Sequence, residues 1–84
     1  ALRSLPERKQ KYHDAVETAL EETKLMQDGK LRCRFVSLRF FQGKQNHNVQ
    51  EASAKVHISY GTGLRWNQAF IRLVGEKMKM MGIL

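Results

Sequence analysis

A chain of 84 residues with one cysteine and a formal charge of +7 allows one small domain, excludes an internal disulfide framework, and contains nothing like the roughly 20-residue apolar run that spans a bilayer. The charge is segregated: residues 30–84 hold ten Lys or Arg against Glu51 and Glu76, whereas residues 1–28 hold five basic and six acidic side chains. A surface that repels itself in this way suits an anionic partner, and with no catalytic signature in the chain the expectation is a binding protein and not an enzyme.

Residues 4–28 read as a helix. Ser4 and Glu7 fit a capping box around Pro6, and Gly29 supplies a left-handed stop. Tyr12, Ala15, Val16, Ala19, Leu20, Thr23 and Met26 recur at steps of three and four residues and make the core stripe. Asp14, Glu17 and Glu21 fall on a neighbouring polar face; without a second cluster of ligands they read as solvated charges, not a metal site.

Residues 30–41 alternate apolar and basic side chains and read as a strand. Leu31, Cys33 and Phe35 share one parity and Val36, Leu38 and Phe40 the other, which calls for a bulge near Val36 and Ser37. Lys30, Arg32 and Arg34 then project to the outer face, and Arg39 takes over that role beyond the slip. Cys33 reads as a reduced, core-filling thiol, which points to an intracellular, soluble protein. Residues 42–50 form a polar loop, and residues 52–60 a second strand with Ala52, Ala54, Val56, Ile58 and Tyr60 on the core face and Ser53, Lys55, His57 and Ser59 outside.

The turn Tyr60-Gly61-Thr62-Gly63, with Thr62 as N-cap, leads into a helix over about 64–81. Trp66, Phe70, Leu73, Val74, Met78 and Met81 make its apolar stripe, while Arg65, Arg72 and Lys79, seven residues apart, line a different face. Gly75 inside this helix suggests close packing or a bend. The resulting fold class is α+β: a single α-β-β-α domain over 1–84 in which two helices pack on one face of an antiparallel hairpin, the sheet being completed by a partner subunit through its strand edges. The alternative is a third strand hidden in 42–50 and a free-standing monomer. A start at Ala1 and not Met suggests a processed or excised piece.

Three histidines, His13, His47 and His57, fall on three different elements and give neither a catalytic group nor a zinc site, so no metal and no cofactor are expected. Gly61-Thr62-Gly63 is compatible with phosphate but reads as an ordinary turn. The informative set is basic: Lys30, Arg32, Arg34, Lys55 and His57 on the outer sheet face, Arg39 and Lys44 toward the loop, and Arg65, Arg72 and Lys79 on the last helix. Gln42, Gln45, Asn46, His47 and Asn48 add hydrogen-bonding groups beside them, and Phe41 is available for base stacking or a subunit contact. The expectation is a small nucleic-acid-binding subunit, RNA favoured over DNA, that contacts the phosphate backbone through the sheet face. No recognition helix for the duplex major groove is visible. The alternative is an assembly module that docks on an acidic protein or an anionic membrane surface.

Overall fold

A computed structural model describes residues 7–82 of the chain. Four α-helices follow one another: α1 (Glu7–Lys24), α2 (Gly29–Phe40), α3 (Val49–Lys55) and α4 (Tyr60–Met80), with one 3-10 turn at Gly43–Gln45 between α2 and α3. The described residues contain no strand. The α+β hairpin is therefore wrong, and with it go the outer sheet face, the strand edges through which a partner subunit was to join, and the hidden third strand.

The reason lies in the pattern itself. Along 29–40 the buried or half-buried positions are Gly29, Arg32, Cys33, Phe35, Val36, Ser37, Leu38, Arg39 and Phe40, while Lys30, Leu31 and Arg34 are exposed. The fully buried pair Phe35 and Val36 follows Arg32 and Cys33 by three residues and precedes Arg39 and Phe40 by four. The change of parity at Val36 is thus a helical period, not a strand bulge. In 52–60 the buried residues are Ala52, Ser53 and Val56, again a helical spacing. Asn48 caps α3 by accepting from the Glu51 amide at 2.8 Å, while the Glu51 carboxylate accepts from the Asn48 amide at 3.1 Å.

Both ends of the α1–α2 connection differ from a helix stopped by glycine. The left-handed residue is Asp28, with φ 58°, and Gly29 is already the first residue of α2. A Cβ on Gly29 would stand 2.2 Å from the Lys24 carbonyl oxygen, so glycine is needed there for close approach and not for its φ. Ser4 and Pro6 lie outside the described residues.

α1 packs against α4 and α2, and α3 against α4 and α2. The core joins Ala19 of α1, Phe35 and Val36 of α2, Ala52 of α3, Val56 just after it, and Trp66 and Phe70 of α4. Phe35 meets Trp66 edge to face at 6.1 Å between ring centroids, and Phe40 stacks on Phe70 at the same separation, arrangements that aromatic quadrupoles favour. Thr23, buried in α1, donates its hydroxyl to the Ala19 carbonyl at 2.7 Å, and Lys77 of α4 pairs with Glu22 of α1. Gly75 is not closely packed: beyond its chain neighbours and its own helix backbone, nothing lies within 4 Å of where its Cβ would stand, and it opens into an apolar groove with Phe41, Phe70, Val74 and Met78. No helix among the described residues is long and apolar enough to cross a membrane.

Candidate nucleic-acid interface

The second half of the chain builds one unit from local chemistry. Helix α3 ends in a left-handed residue, His57, with φ 61°. The His57 amide donates to the Ala54 carbonyl at 3.2 Å and the Ile58 amide to the Ser53 carbonyl at 3.0 Å, the paired bonds of a Schellman stop. Two residues on, Ser59 accepts from the Thr62 amide at 3.1 Å and caps α4. The N-cap is thus Ser59 and not Thr62, and α4 begins at Tyr60 and not at about Leu64.

Four residues, Val56 to Ser59, therefore separate α3 from α4. A short helix, a four-residue turn and a second, longer helix make one α3–turn–α4 unit. The two helices cross closely at Gly63, where an added Cβ would stand 1.9 Å from the Ser53 Oγ and 3.3 Å from Phe35. The contact of Gly63 with Ser53 and Phe35, together with burial of Trp66 and Phe70, fixes which side of α4 faces inward. Tyr60, Gly61, Leu64, Arg65, Gln68 and Arg72 are exposed. Gly61, Arg65, Gln68, Arg72 and Lys79 follow one helical ridge, on which Glu76 is the acidic residue.

The basic residues singled out in the sequence divide into three groups. Arg65, Arg72 and Lys79 share the exposed ridge of α4, with Lys55 and His57 exposed at the end of α3 and in the turn. Lys30 and Arg34 are exposed one turn apart on α2, and Lys44 is exposed in the 3-10 turn. Arg32 and Arg39 are structural. The Arg32 Nε donates to the Gln27 carbonyl at 3.0 Å, and its guanidinium stands 5.2 Å from the Trp66 ring centroid, a cation–π contact. The Arg39 Nε donates to Asn67 Oδ1 at 2.9 Å and its Nη1 to the His47 carbonyl at 3.0 Å. Lys30, Arg32 and Arg34 do not converge with Lys55 and His57 on one sheet face, because on a helix Arg32 points away from the other two.

Tyr60, Leu64 and Gln68 were missed as surface groups. Tyr60 was assigned to a core face yet is 55% exposed. The signals that could have found the unit are Asn48 with Glu51 and Ser59 with Thr62, two N-cap patterns flanking a short Ala-rich segment. Elsewhere, His13, Asp14 and Glu17 bring their side-chain atoms close together on the exposed face of α1, a grouping that ordinary helical neighbours produce. Cys33 is half-buried with its thiol 3.8 Å from the Leu20 carbonyl, and burial pushes that thiol's pKa up. No family model matches the chain, nor does any curated protein or solved structure.

Proposed function

We propose that the protein binds duplex DNA through the α3–turn–α4 unit, with the exposed face of α4 in the major groove and α3 across the sugar–phosphate backbone. The single observation that carries this reading is the cationic ridge of Arg65, Arg72 and Lys79 on α4 directly after a tight turn, set opposite the buried Trp66 and Phe70. Lys55, Arg72 and Lys79 flank Arg65 and Gln68 and supply phosphate contacts, while the latter two stand nearest the start of the helix where base edges are reached. RNA through a basic sheet face has lost its surface, so the nucleic-acid expectation moves to the duplex.

The test is fluorescence anisotropy with random-sequence 30-bp duplex DNA, duplex RNA and single-stranded RNA at graded salt. The expected result is preference for duplex DNA, with a log–log salt slope that falls by about 0.9 for each phosphate-contacting Lys or Arg replaced. Equal binding to all three polymers, or an Arg65→Ala, Arg72→Ala double variant with unchanged affinity, would defeat the proposal. A second reading, docking on an acidic protein, is favoured by one observation only: the apolar groove around Phe41, Ile71 and Met78 beside the basic ridge. It requires binding that duplex DNA does not compete.

A further inference from the structure

Arg65 is not a free-floating surface cation. Its Nη2 donates to the Thr62 hydroxyl oxygen at 3.2 Å, and that oxygen also accepts from the Ser59 hydroxyl at 3.0 Å. Ser59 is in turn fixed as the N-cap by the Thr62 amide. The guanidinium is thereby drawn back along α4 toward its first turn, as the tilt of helical side chains toward the N-terminus allows. The same turn holds Gly61, which is exposed and, beyond its chain neighbours and the helix's own backbone, has nothing within 4 Å of where a Cβ would stand.

One Nη2 hydrogen goes to Thr62. A guanidinium has five N–H donors in a planar fork, so a parallel pair remains for a ligand. A parallel donor pair matches the O6 and N7 acceptors of guanine in the major groove and no other base edge as well. Phosphate also takes such a fork bidentately; what favours a base edge here is that a side chain of high rotamer freedom is tied by Thr62 to the first turn of α4 before binding. Gly61 removes the side chain that would keep a base pair at a distance from that fork.

Building on the duplex-DNA reading above, we propose that Arg65 reads a guanine and that Thr62 is a positioning residue which, through Ser59, aims the guanidinium at it. Gln68, next along the ridge, would make its own base-edge contact and has no part in the guanine assignment.

The experiment is selection from 30-bp duplexes with a random centre, followed by affinity measurement on the enriched site and on its three variants at each position. The whole protein is used, as wild type and as Arg65→Ala, Thr62→Val, Thr62→Ser and Gly61→Leu. The wild type should prefer guanine at one position by roughly 5- to 150-fold, the range of a good bidentate pair. Arg65→Ala should abolish that preference alone. Thr62→Val should reduce it by about 2- to 10-fold, the usual entropy of fixing one long side chain, with the salt slope unchanged, and Thr62→Ser should restore it. Gly61→Leu should stay folded by circular dichroism and lose the preference. A preference matrix identical in Arg65→Ala, or a uniform loss across all sequences with a reduced salt slope, overturns the guanine assignment while leaving duplex binding intact; an unaltered matrix in Thr62→Val overturns the positioning role. Wild type that fails to bind duplexes at all overturns the inference together with the reading beneath it.

Discussion

Gly63 of α4 lies against Ser53 of α3 so closely that a Cβ added to the glycine would stand 1.9 Å from the serine Oγ, and that buried hydroxyl has no hydrogen-bond partner among the described residues. The two facts belong together. Contact with a backbone that has no side chain lets α3 and α4 cross closely, yet gives the hydroxyl no donor or acceptor there. Gly63→Ala should destabilise by about 1–3 kcal/mol through overpacking. Ser53→Ala should stabilise by about 1 kcal/mol, because an unpaired buried hydroxyl is removed. In the double variant the 1.9 Å clash with the Oγ is gone and the added methyl meets the Cβ of residue 53 at 3.2 Å and Phe35 at 3.3 Å, so the two effects should combine to less destabilisation than their sum. Urea denaturation of the four proteins measures the coupling; strict additivity would mean that the helices separate freely at this crossing.

His57 occupies the left-handed position after α3, with φ 61°, and its ring is exposed. A residue with a Cβ is disfavoured there by about 1–2 kcal/mol relative to glycine. His57→Gly should therefore raise stability by about 1 kcal/mol, and His57→Val, β-branched at a positive φ, should lower it. The urea midpoints of the two variants should move in opposite directions. A shift of both in the same direction would show that the imidazole matters more than the backbone.

How far the fold could be read from residues alone depends on which interaction decides each segment. The last helix was legible because Trp66, Phe70, Leu73 and Val74 keep a helical period over several turns, and Trp66 and Phe70 are indeed buried. The first was legible for the same reason through Ala15 and Ala19. Residues 30–41 were not, because β-branched and aromatic side chains alternating with arginine mimic a strand over any five positions, and only the slip at Val36 betrays the longer period. Residues 52–55 were misread because alanine and serine carry little periodic signal, and the deciding groups, Asn48 and Glu51, act through backbone amides. On α4, the shared exposed face of Arg65, Arg72 and Lys79 was legible by their seven-residue spacing. The bonds of Arg39 to Asn67 and His47 and the stacking of Arg32 on Trp66 were not, since an arginine that satisfies carbonyls looks the same in sequence as one that meets solvent.

Burial raises the pKa of the Cys33 thiol, the nearby Lys24 opposing this and Glu21 adding to it. The thiolate is the reactive form. Alkylation by iodoacetamide at pH 8 should therefore be slower in the folded protein than in the same protein in urea, with the rate still climbing at a pH where a free cysteine has levelled off. Because the folded state holds this proton more tightly than the unfolded one, stability is fully present below the unfolded thiol's pKa and declines as pH rises through the folded value. Cys33→Ser should flatten that alkaline decline. A folded rate equal to the unfolded rate at every pH would show the thiol to be solvated.

Two arginines that look alike in sequence should behave oppositely. Arg39 ties α2 to α4 through Asn67 and to the segment before α3 through the His47 carbonyl, so Arg39→Ala should destabilise by about 1–3 kcal/mol, leaving the Asn67 amide oxygen and a backbone carbonyl without their donor. Its effect on DNA affinity at temperatures where the protein is folded should be small. Arg72 is exposed on the α4 ridge, and Arg72→Ala should leave the urea midpoint within about 0.5 kcal/mol of wild type while lowering the salt slope of duplex binding by about 0.9. Thermal melts and binding titrations on both variants separate the two roles. Were Arg39→Ala to lose affinity and slope without loss of stability, the side chain would have to leave Asn67 and reach the duplex, and the α3–turn–α4 unit could no longer be the whole of the interface.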